Sequence, residues 1–175
     1  MTADDLWVGR ESYTDAAKRW LQATDHYLGK APPGALYTIV VRPQGLQLLP
    51  GVERPDGPRL GMCVIGRPVA PKLPQDGSWG EVIRMWLAPG LPHGTASRVL
   101  RVAASYARAR DMECLIAYHD RTRHTGCIYK KAGFRKDGTS LYTGQLGWGS
   151  REGRQSATNP ATPKRRWRLD LQGTA

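Results

Sequence analysis

The stretch RHTGCIYKKAGFRKDG, residues 123–138, decides how the rest of the sequence is interpreted. It holds a histidine, a tyrosine, a Gly-Phe pair and five cationic side chains. Tyr129 begins a helical turn, Gly133 suits the left-handed residue that ends a helix, and Phe134 suits the first buried position of a strand. The spacing therefore predicts a helix-to-strand corner, and any such corner could use the same three residue types.

Apolar patterns upstream of this corner predict a mixed α/β domain. A short apolar strand, MECLIAYHD (112–120), precedes it, and an amphipathic helix at 95–111 precedes that strand, with Thr95 as its N-cap. Residues bounded by proline and glycine read as three further strands, at 35–42, 58–68 and 81–88.

Two local patterns complete the prediction of the secondary structure. The first helix is predicted at 12–29, with Ser12 as its N-cap and Gly29 at its end. A hairpin is predicted to turn at Asp137-Gly138, and alternation resumes in RRWRLDL (165–171).

Positive charge is concentrated in the second half of the chain. Lysine and arginine number 26 against 15 aspartate and glutamate residues, for a formal net charge of +11. Residues 1–30 carry four cations and five anions, whereas residues 98–137 carry ten cations and four anions. This distribution predicts an anionic partner such as a polyphosphate, because neutralised phosphates release condensed counterions. The alternative is a solvated basic surface without a specific partner.

Length and composition indicate one soluble domain. The chain has 175 residues, 40% of them hydrophobic, which is enough for one core. The N-terminus has acidic residues where a secretory signal has basic ones, and no apolar window reaches membrane-spanning length. We therefore expect a cytoplasmic protein with no membrane partner. The cysteines, Cys63, Cys114 and Cys127, are predicted to be reduced core residues.

The order strand, glycine-containing turn, helix, strand, Tyr-x-x-x-Gly-Phe resembles the GCN5-related N-acetyltransferase (GNAT) superfamily. The resemblance implies an α/β fold with a central mixed, twisted sheet flanked by helices, and acetyl-CoA as cofactor. It places the Tyr129 hydroxyl near the cofactor sulfur, where it can protonate the departing thiolate. The pyrophosphate is implied to bind backbone N–H groups at a helix N-terminus, which carries partial positive charge. The cofactor-binding residues that correspond here are Trp86, Leu87, Gly94, Thr95, Ala96, Ser97 and Tyr129.

Four blocks resemble, in order, the bacteriophage Mom DNA-modification family, a divergent GNAT branch. They span roughly residues 24–140 and are DHYLGKAPPG (25–34), CVIGRPVA (63–70), EVIRMWLAP (81–89) and YHDRTRHTGCIYKKAGF (118–134). The resemblance implies an enzyme that turns the N6 amine of adenine in double-stranded DNA into a carbamoylmethyl amine, with acetyl-CoA as donor, and so protects phage DNA from restriction. The catalytic residues it implies are His26, Tyr27, Arg84, Asp120 and Tyr129.

The lone pair of adenine N6 is delocalised into the ring, so the amine is a poor nucleophile and must lose a proton as it attacks. The implied reaction therefore requires a proton acceptor. Asp120 ends a buried strand, at the edge where α/β sheets bind ligands, and is the candidate general base. The same aspartate also suits an N-cap for the segment behind it, and the two roles can coexist. His26 and Tyr27 are candidates to orient the base. His26 is also a candidate metal ligand, although the sequence alone does not support iron.

An enzyme that modifies a base in duplex DNA must first rotate it out of the stack, so cations and aromatic residues should surround the cleft. We predict a catalytic domain at 1–146 and a basic C-terminal arm at 147–175, packed on the domain or extending from it. Trp167 suits stacking on a base, although a core-facing strand residue has the same pattern. The candidate nucleic-acid-binding residues are Arg121, Arg123, His124, Lys130, Lys131, Lys164, Arg165, Arg166 and Trp167.

Two other functions fit the sequence. A conventional GNAT N-acetyltransferase would acetylate a small amine, a peptide or an aminoacyl-tRNA and leave DNA nucleosides unchanged. A basic nucleic-acid-binding protein that kept the fold without catalysis would bind DNA without a cofactor. The Mom resemblance implies double-stranded DNA and acetyl-CoA as partners, in the cytoplasm of a host cell if a phage encodes the chain. We expect a monomer or a homodimer.

Overall fold

Three helices and seven strands make up the described part of the chain. The computed structural model describes residues 1–26, 31–44, 57–140 and 163–172. The strands are β1 (Leu6–Glu11), β2 (Tyr37–Pro43), β3 (Gly61–Gly66), β4 (Trp79–Leu87), β5 (Cys114–Asp120), β6 (Arg135–Ser140) and β7 (Lys164–Asp170). The helices are α1 (Asp15–Gln22), α2 (Thr95–Arg108) and α3 (Cys127–Lys131).

All seven strands form one mixed sheet in the order β1-β2-β3-β4-β5-β7-β6. β4 and β5 run parallel, and every other neighbouring pair is antiparallel. The parallel pair stays in register only from Trp79↔Cys114 to Val82↔Ala117. Because β4 continues to Leu87 and β5 to Asp120, the two strands part beyond Val82 and leave a cleft within the sheet.

Helices cover both faces of the sheet, as the predicted fold class requires. On one face, called the α2 face here, Val99 and Ala103 of α2 share a buried cluster with Ile39 of β2. On the opposite α1 face, Leu21 of α1 shares a second cluster with Val40. Successive residues of a strand point to opposite sides, so a run of apolar residues in β2 supplies both clusters.

The first helix is shorter than the predicted 12–29. Thr14, not Ser12, caps it: Oγ1 of Thr14 accepts a hydrogen bond from the backbone N–H of Ala17 at 3.2 Å. The chain ahead of this helix forms β1, which the sequence analysis missed because LWVGRE mixes charge and glycine with its apolar residues. The strands predicted at 35–42, 58–68, 81–88 and 112–120 and the helix predicted at 95–111 are confirmed.

The hairpin predicted at Asp137-Gly138 is wrong, because β6 continues through these two residues as a bulge. Lys136 pairs with Trp167 and Thr139 pairs with Arg165, so Asp137 and Gly138 together oppose Arg166. Gly138 has φ +108°, which a bulge residue without a Cβ tolerates. The Arg166 guanidinium closes the bulge: its Nε lies 3.0 Å from the Asp137 carbonyl oxygen and 2.9 Å from Oδ2.

One segment of the predicted basic arm, β7, lies inside the sheet. β7 is inserted between β5 and β6, and Trp167 is only 3% exposed. The interpretation of Trp167 as a stacking surface for a nucleic acid is therefore wrong, because its indole belongs to the core. Lys164, Arg165 and Arg166 are partly buried in the same strand. The remainder of the predicted arm, 147–162 and 173–175, and the predicted boundary at 146/147 lie outside the described residues.

Two predictions about the chain's environment can be compared with the described residues. Within the described ranges, no helix is long and apolar enough to cross a membrane. Cys63 and Cys114 are buried, as predicted, whereas Cys127 is exposed and is not a core residue.

The burial of Trp167 generates a test of the role of β7. Trp167→Ala should lower the free energy of unfolding by about 3–5 kcal/mol, the usual cost of truncating a buried aromatic side chain. Urea unfolding followed by circular dichroism measures this loss. Val69→Ala, at a residue that is 74% exposed, is the control and should change stability by less than about 0.5 kcal/mol. Equal effects of the two substitutions would mean that the tail is a detached arm.

Candidate active site

The cleft between β4 and β5 is the candidate active site. It has a volume of about 220 Å³. Its chemically active lining side chains come from the segment after α1, from β4, from β5 and from the stretch leading into α3; they are His26, Arg84, Tyr118, His119, His124, Cys127 and Tyr129. Of the predicted catalytic residues, the structure brings His26, Arg84 and Tyr129 together here. Tyr27 lies outside the described residues.

A bulge in β4 directs Arg84 to the α1 face. Val64 pairs with Arg84 and Ile65 pairs with Val82, so Ile83 is an extra residue in β4. Val82 packs into the cluster on the α2 face, whereas Ile83 packs into the cluster on the α1 face. Met85 packs on the α2 face again, so alternation places Arg84 on the α1 face, beside His26.

His26 and Arg84 form a polar pair in the cleft although 58 positions separate them. Nη1 of Arg84 lies 3.1 Å from Nδ1 of His26. A guanidinium only donates hydrogen bonds, so Nδ1 accepts and the neutral ring carries its proton on Nε2. Burial, with the nearby Arg84 charge, lowers the pKa of His26 to about 4. His26 is therefore a neutral, oriented side chain at neutral pH.

Tyr129 is held in the cleft wall by α3 and by aromatic neighbours. The residue is 7% exposed. Its ring centroid lies 5.9 Å from that of His119 and 5.6 Å from that of Trp167, with both pairs stacked. Phe134 packs against it edge-on at 5.9 Å. The predicted helix-to-strand corner thus fixes the tyrosine from several sides.

His119 is a cleft residue that the sequence analysis missed. Its Nδ1 accepts a hydrogen bond from Nε1 of Trp167 at 2.7 Å. Burial lowers its pKa, with further lowering by the charges of His124, Arg165 and Arg121. The only signal in the sequence was its place next to Asp120 at the end of β5.

Asp120 closes the turn after β5 and is not in the cleft wall. It is 2% exposed, and its Oδ1 accepts hydrogen bonds from the backbone N–H and the hydroxyl of Thr122, at 2.8 and 2.6 Å. Arg123 Nε lies 3.6 Å from its Oδ2. The predicted helix N-cap is wrong, because residues 121–123 form a turn and α3 begins at Cys127 with Gly126 as its N-cap. Asp120 is also not among the described residues that line the cleft.

A second buried carboxyl, Glu81, lies on the α1 face of β4, one residue before Val82, where the cleft lining begins. Its Oε2 accepts a hydrogen bond from the backbone N–H of Val69 at 2.8 Å. Burial raises its pKa to about 7, although the neighbouring Lys164 charge opposes the rise. The Glu81 charge in turn raises the pKa of Tyr118, whose largest perturbation is burial. The sequence offered no sign of this group, because a glutamate early in a strand is ordinary.

The N-terminus of α2 lies where the resemblance implies a pyrophosphate. Gly94 is its N-cap, with φ +92°, and no side chain bonds the first amides. The predicted cap Thr95 instead donates its hydroxyl to the Pro92 carbonyl at 2.7 Å, and Ser97 donates to the Gly94 carbonyl at 2.9 Å. The amides of Thr95, Ala96 and Ser97 therefore belong to a helix end without a side-chain cap.

The two remaining predicted cofactor residues lie on opposite faces of β4. Leu87 packs on the α2 face. The Trp86 indole lies on the α1 face, where it packs edge-on against Trp20 at 5.5 Å and donates to Oδ1 of Asp25 at 2.5 Å. A contact between Trp86 and a group at the N-terminus of α2 is therefore limited to its backbone.

The predicted cationic contacts on the segment from β5 to α3 are exposed. His124 lines the cleft, and the exposed residues next to its lining residues in the sequence are Arg121, Arg123, Lys130 and Lys131. No carboxylate occurs among the described residues that line the cleft. In the described ranges no group of three or more histidine, cysteine, aspartate or glutamate residues could hold a metal ion, so His26 has no partner ligands there.

Comparison with known proteins identifies the fold. The chain aligns with an IAA acetyltransferase from Bacillus cereus at 16% identity and a TM-score of 0.59, over 95% of this chain and 99% of that one. It aligns with a Bacillus subtilis acetyltransferase in complex with CoA at 14% identity and a TM-score of 0.55, over 95% of this chain and 99% of that one. It also aligns with a spermidine/spermine N-acetyltransferase from Vibrio cholerae at 11% identity and a TM-score of 0.60, over 96% of this chain and 94% of that one. No protein-family model and no curated protein matches the sequence. The predicted GNAT fold is thereby confirmed.

The contact between α3 and the cleft histidine generates a test at Gly126. Its φ is +76°, and a Cβ would lie 2.6 Å from Cζ2 of Trp167 and 2.7 Å from Cε1 of His119. Gly126→Ala should therefore destabilise the fold by more than about 2 kcal/mol, from backbone strain plus the clash.

Gly77→Ala is the matched control for that substitution. Gly77 also has a positive φ, +99°, but nothing lies within 4 Å of the added Cβ. It should lose only about 1 kcal/mol of stability, from backbone strain. Thermal unfolding of both variants measures the difference, and equal losses would refute close packing around Gly126.

Proposed function

We propose that this chain is an acyl-CoA-dependent transferase that moves the acetyl group of acetyl-CoA to an amine in the cleft. One observation carries the proposal: a cleft between the parted strands β4 and β5 has Tyr129 in its wall, and the helix that follows β4 begins without a side-chain cap. The GNAT-fold structure in complex with CoA supports the same cofactor.

The N-terminus of α2 fits the pyrophosphate of CoA. The helix has fourteen residues, and its Gly94 cap gives the first N–H groups no side-chain acceptor. The Thr95 N–H bonds the Pro92 carbonyl at 3.2 Å, so Ala96 and Ser97 offer the N–H groups for a ligand. A Cβ at Gly94 or Gly90 would meet nothing within 4 Å, so the approach to these groups is open. Such a helix end attracts anions through its dipole and its backbone donors. Acetyl-CoA held here would supply an activated acetyl thioester.

The reaction needs two proton transfers, one to the thiolate and one from the amine, and we assign them to residues on opposite faces of the sheet. Acetyl transfer joins the amine nitrogen to the acetyl carbon and breaks the bond from that carbon to sulfur. Tyr129 would donate its hydroxyl proton to the sulfur as that bond breaks. The amine must also lose a proton. Glu81, with its pKa near 7, is the carboxyl on the α1 face, and since it does not line the cleft, an intervening water would carry the proton to it. Asp120 is the acceptor that the resemblance implies.

Tyr129→Phe tests the proposed acid. It should reduce kcat by roughly 100-fold, because positioned general acids commonly contribute that much or more. Affinity for CoA should stay within about twofold, since the ring and its packing are kept. Thiol release reports kcat, and calorimetry with CoA reports affinity. Tyr106→Phe, at an exposed tyrosine of α2, is the control; unchanged kcat in Tyr129→Phe would remove the tyrosine from the mechanism.

We propose, as a second and finer candidate, that the acceptor is the N6 amine of adenine in double-stranded DNA. Two observations favour it over a polyamine. His26 and Arg84, from separate blocks of the Mom resemblance, meet in the cleft at 3.1 Å. The described lining holds a guanidinium and histidines but no carboxylate, which suits an anionic acceptor better than a polycation.

Mass spectrometry of nucleosides tests this acceptor. DNA from cells that express the chain should contain a modified deoxyadenosine, and purified protein should produce the same nucleoside from duplex DNA and acetyl-CoA. Acetylation of small amines with unaltered nucleosides would leave the first proposal standing and reject the second.

Salt dependence of DNA binding tests the predicted cationic contacts to DNA. Arg121→Gln with Lys130→Gln should weaken DNA binding and lower the slope of log affinity against log salt by about 2, roughly one for each lost phosphate contact. Arg108→Gln with Arg110→Gln is the control, because these exposed arginines lie at the other end of α2. An identical slope in both double variants would place the DNA surface elsewhere.

A further inference from the structure

We propose that Trp167 in the last strand of the sheet holds His119 in one neutral tautomer against Tyr129, so that β7 acts as a positioning device for the acid. The inference rests on the function proposed above for Tyr129. It assigns a role to His119 and Trp167 as positioning residues, which act through the tyrosine and not on the substrate.

The hydrogen bond between the two rings settles the tautomer. Nε1 of Trp167 lies 2.7 Å from Nδ1 of His119. An indole N–H can only donate, so Nδ1 must carry a lone pair and the single proton of the neutral imidazole is on Nε2. Both rings are buried, which makes this bond costly to leave unmade.

Three rings form one packed cluster, with each ring against the other two. His119 and Tyr129 lie 5.9 Å apart with an interplanar angle of 18°, and Tyr129 and Trp167 lie 5.6 Å apart at 23°. His119 and Trp167 are 5.9 Å apart at 35°. The absent Cβ of Gly126 leaves the room that Cζ2 of Trp167 and Cε1 of His119 occupy. A change in the His119–Trp167 bond therefore alters the surface against which the tyrosine ring rests.

Protonation of His119 would break this arrangement. A proton on Nδ1 would set one N–H donor against another, so the charged ring cannot keep the bond to Trp167. The titratable and charged groups around the imidazole come from β5, β7, α3 and the loop after β5; they are Asp120, Arg165, Tyr129, Arg121 and His124.

Those surroundings set the direction of the pH dependence. Burial is the largest cause that lowers the pKa of His119 below its ordinary value of 6.5, the cations add to it, and Asp120 alone opposes it. The neutral form is therefore present at neutral pH. Neutral His119 supports Tyr129 fully at pH values above the ordinary histidine pKa. This support is lost as the pH falls through the lowered pKa of His119, so kcat should fall over the same range.

Trp167→Phe removes the donor and keeps an aromatic ring. The pKa of His119 should rise, because Nδ1 is then open to a proton, and the acid limb of the kcat profile should move to higher pH with it. At the optimum, kcat should fall about fivefold, as for loss of one hydrogen bond, while KM for acetyl-CoA is unchanged. Trp79→Phe is the control, because this partly exposed indole packs under Arg168 outside the cleft lining.

Two substitutions of His119 keep the test decisive if Trp167→Phe does not fold. His119→Gln retains an acceptor for the indole and cannot titrate in this range, so activity should persist and the part of the acid limb that follows the NMR midpoint of His119 should disappear, leaving the part set by Glu81. His119→Phe retains the ring but offers no acceptor, so kcat should fall at every pH. A step at the His119 midpoint that survives in His119→Gln overturns the proposal.

Nitrogen-15 NMR of the imidazoles tests the device without turnover. In the unaltered protein, His119 should show protonated Nε2 and unprotonated Nδ1 down to low pH, and Trp167→Phe should raise its titration midpoint. The opposite tautomer, or a midpoint that moves no more than in Trp79→Phe, overturns the proposal. If the tautomer is as expected but no acetyl transfer occurs, the proposed function is wrong, while the arrangement of the three rings is supported.

Discussion

The parting of β4 from β5 after Val82 and Ala117 is the constraint on which the rest of the site depends. β4 stays paired with β3 as far as Leu87, so only its edge toward β5 loses ladder partners. Backbone groups on such an edge need water, a side chain or a ligand. His26 supplies one such contact through its hydrogen bond to the Met85 backbone. The sheet can therefore accept a ligand without unfolding any strand.

The bulge at Ile83 turns this opening into a chemically specific cleft. Without the bulge, strict alternation from Val82 would put Arg84 on the α2 face, where the core is apolar. With it, the guanidinium reaches His26, and burial together with the Arg84 charge keeps that imidazole neutral. One inserted residue thus gives the α1 side of the cleft a fixed positive charge, while the α2 side presents the aromatic stack around Tyr129.

Local patterns in the sequence predicted the elements, but not the pairing between distant strands. The corner at Tyr129 was predictable because Gly133 has the positive φ, +92°, that its position required. Asp137-Gly138 suits both a hairpin and a bulge, and only the pairing with β7 distinguishes them. His119 was missed because alternation puts it on the face opposite Asp120, and nothing local shows which face lines a cleft.

The basic C-terminal segment shows why charge alone misled the prediction for Trp167. Within β7, alternation places Trp167 in the core while Lys164 and Arg166 point to the other face, toward Glu81 and Asp137. Burial and the charge of His124 are the larger causes that lower the pKa of His119, and Arg165 adds to them. The charges of this strand therefore act on carboxyls and histidines of the same molecule. Since β7 also separates β5 from β6, the wall behind Tyr129 is complete only when the end of the chain has joined the sheet. The chemistry of the cleft is in this way tied to the most distant strand pairing in the fold.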